Sequence, residues 1–314
     1  MHTNLGTKTG HITGANTGFG LQLALKALAE GDRVIAAVRS PSKIPAASPL
    51  LDNPNVRILP FDLSLSQPEL DAHAWAAFQA FSSSSSSSPE EERGRIDVLV
   101  NNAAYAYMGA IEETEDALVK KQFDINVFGI LRTIRAFLPG LRAQGSGMIM
   151  NVSSIGGLRG YPSNGVYCAT KFAVEGITEA LAEEIKPFGL TAVIVQPGYF
   201  RTSFLAGIAS TTAGSGLGRE NLAPAIEAYK GTTAHEAREA FWKYDGKQPG
   251  DPVEGAKRMW EYVAGEGLFR DKGERLLRLP LGTDTGTEMR RVAGELERTA
   301  EYYEEVWRST DFKD

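Results

Sequence analysis

Through the first two-thirds of the chain, short apolar runs alternate with longer stretches in which apolar residues recur every three to four positions. The runs at residues 33–38, 56–61, 96–100, 148–152 and 191–195 are dominated by Val, Ile, Leu and Met. Mainly apolar runs this short predict strands of a sheet covered on both faces. Residues 21–30, 117–141 and 169–185 carry apolar residues at helical spacing. Strands alternating with helices predict a parallel sheet covered on both sides, an α/β architecture in one domain over residues 1–314. A further strand is placed just ahead of Thr13, although Gly10 and His11 stand there in place of strand formers. Its position before a glycine-rich turn argues for it.

Three segments depart from this rhythm. An uninterrupted serine tract at 82–88, followed by Pro89 and acidic residues, predicts a flexible surface loop over 82–93. Residues 200–250 begin rich in Gly, Ala and Thr and end with Tyr229, Phe241, Trp242 and Tyr244. An insertion of that length after the last clear strand is often functional. Its aromatics either close over a substrate or cap the sheet and the C-terminal helix. Residues 283–310 read as that helix, charged, with Met289, Val292 and Leu296 along one side.

Charge and composition narrow what such a sheet can serve. The formal net charge is -6, so no global basic field exists to hold nucleic acid or an anionic membrane. Cys168 is the single cysteine, and His2, His11, His73 and His235 lie far apart, so neither an internal disulfide nor metal-ligand spacing is present. No apolar run approaches the roughly 18–20 residues that span a bilayer. The first ten residues are polar and lack the apolar core of a signal peptide. A cytoplasmic protein acting on a small molecule, without a metal, is the expectation.

The first chemistry-bearing stretch is Thr13-Gly14-Ala15-Asn16-Thr17-Gly18-Phe19-Gly20, between the first strand and the first helix. Glycines let the backbone approach a ligand closely, and the helix points free N–H groups at the turn, which makes an anion site suited to a phosphate. The second strand ends Ala36-Ala37-Val38-Arg39-Ser40. A carboxylate about 20 positions after the turn would hold a ribose 2′-hydroxyl. None is present, and Arg39 is either a solvated surface arginine or the partner of a 2′-phosphate. Asp62, just after the third strand, either accepts from an adenine amino group or caps a helix beginning near Gln67.

The second stretch is Tyr167-Cys168-Ala169-Thr170-Lys171 at the start of a helix. Positions i and i+4 share a face, which places the ammonium of Lys171 under the phenol. Lowering a phenol from about 10 to about 7 requires roughly 4 kcal/mol. A cation at about 4 Å and an effective dielectric near 20 supplies energy of that order. Ser154 lies thirteen residues earlier, after the strand at 148–152; its hydroxyl either holds a substrate oxygen beside the phenol or forms a turn. Asn126 interrupts the long helix at 117–141. It either marks a kink that binds a water near the lysine or makes a buried structural bond.

These pieces, in this order, resemble the short-chain dehydrogenase/reductase family over residues 8–202. The resemblance rests on the glycine turn, Asp62, Asn101-Asn102-Ala103-Ala104, Asn126, Ser154, Tyr167, Lys171 and Pro197-Gly198-Tyr199-Phe200-Arg201-Thr202. The stretch from Ser154 to Lys171 is similar to the branch containing 17β-hydroxysteroid dehydrogenases and many fungal and bacterial oxidoreductases. The resemblance implies a Rossmann-type doubly wound parallel sheet of about seven strands. It implies Tyr167 as acid/base, and Lys171 lowering its pKa and holding the nicotinamide ribose. Ser154 would orient the substrate carbonyl, and Asn126 would keep a proton-relay water. Thr13, Gly14, Asn16, Thr17, Gly18, Phe19, Gly20, Asp62, Asn102, Phe200 and Thr202 would border the cofactor, and Arg39 matches the position that marks NADP preference. The implied activity is NADP(H)-dependent interconversion of a ketone or aldehyde and an alcohol, on a bulky apolar substrate of lipid or steroid type or of secondary metabolism. The alternative class is a non-catalytic NADP(H)-binding regulator, against which the retention of all four catalytic positions speaks. The long helices at 115–141 and 169–186 are the candidates for a homo-oligomer interface. Ala104, where the family usually has glycine, Phe19, where a smaller aliphatic is usual, and the poor first strand depart from the pattern and bear on cofactor affinity.

Overall fold

The apolar runs assemble into one sheet of seven parallel strands in the order β3-β2-β1-β4-β5-β6-β7. They are β1 (Thr9–Thr13), β2 (Arg33–Val38), β3 (Val56–Pro60), β4 (Val98–Asn101), β5 (Gly147–Val152), β6 (Leu190–Pro197) and β7 (Arg278–Leu281). This computed structural model describes residues 7–82, 94–204 and 226–312. The expected serine loop, all but Ser82, and residues 205–225 of the insertion therefore lie outside the described residues.

Alternation along each strand explains why the runs look uniformly apolar. Val34, Ala36 and Val38 of β2 face one core, with Ile12, Val98, Val100, Met148, Met150 and Val152. Ile35 and Ala37 face the other, with Leu99, Ile149 and Leu190. Helices α1 (Gly18–Ala29) and α7 (Pro252–Ala264) cover the first face, and α2 (Gln67–Gln79), α4 (Gly129–Gln144) and α5 (Gly165–Ile185) the second. Both faces being covered, every strand position must be apolar or internally bonded.

β1 forms despite Gly10 and His11. It is an interior strand, paired with β2 on one side and β4 on the other. His11 is fully buried, its ring 5.2 Å from Phe61 and 4.6 Å from Phe137, so it acts as an aromatic core residue.

The helix expected over 117–141 is interrupted. α3 (Asp116–Phe123) passes into a π-helical turn, Asp124–Phe128, before α4 begins. The asparagine that disfavoured a regular helix sits inside that turn, a form frequent at functional sites. Asp62 does not cap α2. Ser66 does, in a reciprocal box with Glu69, whose carboxylate accepts from Ser66 N and Oγ. Asp62 instead accepts from the backbone and hydroxyl of Ser64 at 2.9 and 2.8 Å.

Within the insertion, residues 233–244 form α6 (Thr233–Tyr244). The C-terminal segment forms α8 (Thr283–Tyr302) and then a short α9 (Glu304–Arg308), two helices where one was expected. Among the described residues no helix is long and apolar enough to cross a membrane.

The strand order reverses between β1 and β4, which lie side by side with their chains leaving in opposite directions. In an open parallel sheet, the crevice beyond the carboxyl ends of the strands at such a switch point is where ligands bind.

Candidate active site

The glycine turn lies at that crevice. Gly14 has φ +67, a backbone form that glycine adopts without strain, and its N–H donates to Ala37 O at 2.8 Å. Gly20 is required by close approach: a Cβ there would collide with the carbonyl oxygen of Gly14 and with Asn102 Nδ2. Asn102 supports the turn from beneath. Its Nδ2 donates to Thr13 O at 2.9 Å, while the N–H groups of Asn102 and Ala103 donate to Thr13 Oγ1 at 2.9 and 3.0 Å. The expected cofactor role of Asn102 thus reduces, for its amide nitrogen, to holding the turn that would hold the cofactor.

α1 opens at Thr17, whose side chain makes no capping hydrogen bond, so the first N–H groups of the helix are available to an anion. In front of them is a cavity of about 470 Å³ lined by Asn16, Thr17, Gly18, Arg201, Thr202 and Asp245, among others. Thr202 stands directly over Gly18. Phe19 and Phe200 pack together at 4.8 Å, filling space beside the turn; the bulk that departed from the family pattern meets a second aromatic. Arg39 is exposed at the end of β2, after the buried Ala37 and Val38, and forms no ion pair among the described residues. An open helix N-terminus, a cavity and a free guanidinium one strand away fit a dinucleotide bearing an additional phosphate.

On the other side of the crevice, Ser154 follows β5 and Tyr167 lies in the first turn of α5. Ser154 Oγ accepts from Gly156 N at 3.1 Å, which fixes the serine at the head of a short turn, Ile155–Gly157. The Ser154 hydroxyl faces the Tyr167 phenol and acts on its electrostatics against burial. Lys171 is only 1% exposed; its Nζ donates to Val152 O at 2.7 Å and lies 5.6 Å from the centre of the Tyr167 ring. The turn reading of Ser154 holds, and the turn brings the hydroxyl toward the phenol.

The electrostatics differ from the expectation that the ammonium governs the phenol. Burial pushes Tyr167 well above its ordinary value, and the Ser154 hydroxyl only partly offsets that. Burial also depresses Lys171, to about 8, against the opposing pull of Glu175. A dry pocket disfavours phenolate and ammonium alike, and here that outweighs their mutual attraction. The phenol is therefore protonated at neutral pH.

Asn126 is fully buried, and its amide is spent on protein. Oδ1 accepts from Tyr105 N at 3.1 Å, and Nδ2 donates to Tyr105 O at 2.8 Å and Thr170 Oγ1 at 3.2 Å. The side chain is the buried structural bond of the two readings. It ties the π-helical turn to the loop after β4 and to α5, beside Tyr167.

The mouth of the site is apolar. Ala106 and Met108, from the loop after β4, pack on Tyr167 together with Phe204 and Phe241. Phe204 lies 5.8 Å from the Tyr167 ring, and Tyr199 contacts Phe241 at 5.9 Å and Tyr244 at 5.3 Å. Of the aromatics singled out in the insertion, Tyr229 turns away and donates to Glu112 at 2.9 Å. The side chain of Trp242 lies outside the described residues. Sequence reasoning missed Met108 and Asp245, which carry no motif, assigned no role to Arg201 within the motif that contains it, and missed Asp284, whose carboxylate accepts from Tyr199 N at 2.7 Å and so pins α8 to the loop after β6.

Comparison with known proteins agrees with this geometry. The family model described as short chain dehydrogenase matches residues 8–213. An uncharacterized oxidoreductase of Bacillus subtilis, YusZ, is 32% identical over 274 residues, covering 86% of this chain and 88% of that protein. Human 17-beta-hydroxysteroid dehydrogenase type 1 is 34% identical over 197 residues, 62% of this chain and 57% of that one. The crystal structure of a short-chain dehydrogenase from Streptomyces avermitilis superposes with a TM-score of 0.78 at 31% identity, covering 98% of this chain and 100% of that one.

Proposed function

Because the chain belongs to the short-chain dehydrogenase family of oxidoreductases, we propose that it is an NADP(H)-dependent reductase of a bulky, mainly apolar ketone or aldehyde. The observation that carries this is Ser154 facing Tyr167 over the buried Lys171, under a roof that includes Met108, Phe204 and Phe241.

The nicotinamide, when bound, supplies or accepts the hydride. The chain's own groups do the rest. Thr17, Gly18 and the open end of α1 would take the pyrophosphate, Arg39 the 2′-phosphate, and Thr202 would border the nicotinamide end. Ser154 Oγ holds the substrate oxygen. Tyr167, protonated in the dry pocket, gives its phenolic proton to that oxygen as a carbonyl becomes an alcohol. Lys171, its ammonium 5.6 Å from the ring centre, stabilises the phenolate left behind. The apolar roof excludes water from the reacting carbon and selects substrates with flat or extended hydrocarbon. Asn126 acts indirectly, by fixing the loop of Tyr105 and the helix of Tyr167.

A turnover assay across a panel of ketones of graded size, with NADPH and with NADH, tests the reading. NADPH-dependent reduction of the larger apolar ketones is expected. Tight NADPH binding with no turnover of any carbonyl would favour a non-catalytic binding protein instead.

A further inference from the structure

Beneath the catalytic lysine lies a buried carboxylate that none of the proposed steps uses. Glu175 is 5% exposed and follows Lys171 by one helical turn on α5. Its oxygens accept from Ser153 Oγ at 2.7 Å and from Gln196 Nε2 at 2.9 and 3.0 Å, and Arg278 Nε lies 3.5 Å away. These partners come from three places: Ser153 adjoins Ser154 after β5, Gln196 precedes the Pro197-Gly198 loop on β6, and Arg278 begins β7. Gly157 makes room for the arrangement, since a Cβ there would overlap both Glu175 Oε1 and Ser153 Oγ. A carboxylate so enclosed, with a glycine opposite it, is costly to bury unless each lone pair is satisfied. Here both oxygens are satisfied by groups flanking the site.

We infer that Glu175 is a positioning residue for the active site: it holds the charge on Lys171 and the place of the Ser153–Ser154 turn at once. The inference rests on the reading of Lys171 given above. The charged and titratable groups around the pair are few. Among the described residues, on α5 they are Tyr167, Cys168 and Glu179; the strands bring Arg278, with the neutral Ser153, Gln196 and the Val152 carbonyl. Burial alone drives Lys171 toward its neutral form, and Glu175 is the group that opposes this. Arg278 faces the same carboxylate from the sheet edge, also pairs with Glu179, and tempers that effect.

Two substitutions then move the lysine in opposite directions. Glu175→Gln keeps the shape, removes the anion and lowers the titration midpoint of Lys171, by about one pH unit if the pair interacts at the strength usual for partly screened buried groups. Arg278→Gln, at the half-exposed rim, removes the tempering cation and raises it. The midpoint is read without substrate or cofactor, by NMR of the lysine Nζ in the full-length protein. The signal is assigned by its loss in Lys171→Arg. The alkaline limb of kcat/KM should shift with it, and Glu175→Asp should restore the limb partly. A purely structural role would lower the melting temperature and kcat but leave the midpoint in place. Unmoved midpoints in both variants, or a limb that stays while the midpoint moves, overturn the inference. If Lys171→Arg kept full NADPH binding and turnover, the functional reading of the lysine would fail while the titration result would stand.

Discussion

Tyr167 and Arg39 carry the two sharpest expectations at the scale of single residues. Tyr167 is buried beside Ser154, and burial keeps its phenol protonated until a substrate oxygen arrives. Tyr167→Phe keeps the ring that packs on Met108 and Phe204 and removes only the proton. kcat should fall about 10²–10⁴-fold, the usual range for a general acid, while NADPH binding measured by fluorescence stays within a factor of a few. Retention of more than about a tenth of kcat would show that another group delivers the proton. Arg39 stands exposed with no carboxylate near the end of β2 and no ion-pair partner among the described residues. A charge-assisted contact with a 2′-phosphate contributes about 1.5–3 kcal/mol. Arg39→Asp should therefore weaken NADPH roughly tenfold to a hundredfold and leave NADH nearly untouched. Equal kcat/KM for the two cofactors in the unmodified enzyme would remove the basis for the preference.

At the scale of elements, much was legible, for reasons that can be named. A parallel sheet buried on both faces writes itself as apolar runs, so β2, β3, β4, β5 and β6 were visible within two residues at each end. The turn after β1 and the Tyr167-to-Lys171 helix were visible because each needs particular residues at a fixed spacing. β7 was not visible, being four residues with a proline, and neither were α6 and α7, which follow the last recognisable motif. Glu175 was missed because a glutamate on a helix is normally solvated. The available signal was Gln196, a polar residue directly after the apolar run 192–195, which had to have a buried partner. Asn126 gave its signal by interrupting a helix, although sequence could not tell a π-turn from a kink. β1 looked poor because a histidine was taken at its polar value. In the core it is a ring between Phe61 and Phe137, held neutral by burial with its pKa lowered to about 3. Between pH 6.5 and about 3 the unfolded chain binds a proton that the folded one refuses. Stability due to this group therefore falls as pH falls through that window, by up to about 1.4 kcal/mol per pH unit. His11→Leu should flatten the loss in urea midpoint between pH 7 and pH 5, with His73 present in both proteins. An equally steep loss in the variant would mean that other groups govern acid stability.

At the scale of the whole molecule, the roof over Tyr167 is built from parts far apart in the chain. Met108 comes from the loop after β4, Tyr199 and Phe204 from the segment after β6, and Phe241 from α6, while Asp284 of α8 clamps the backbone of Tyr199. α6 is itself held to the body: Arg238 lies 3.8 Å from the buried Glu113, and Ser163 Oγ donates to Ala234 O at 2.6 Å. An apolar wall so fastened sets the size of what can reach the phenol. Phe204, against the Tyr167 ring, and Phe241, against Tyr199 and the same cluster, are its aromatic members, and both are only partly buried, as expected of side chains that face a substrate from one side. Replacing either by alanine removes wall area that a small ketone never touches. KM for bulky apolar ketones should rise about tenfold or more, and KM for small ones should change little. The competing role, capping the sheet and the C-terminal helices, makes the opposite forecast. In that case the alanine variants would melt several degrees lower and keep the parent's ranking of substrates. Measuring both quantities on the same variants separates the two roles. Parallel rises in KM for large and small ketones, with a lowered melting temperature, would reassign the aromatics to the core.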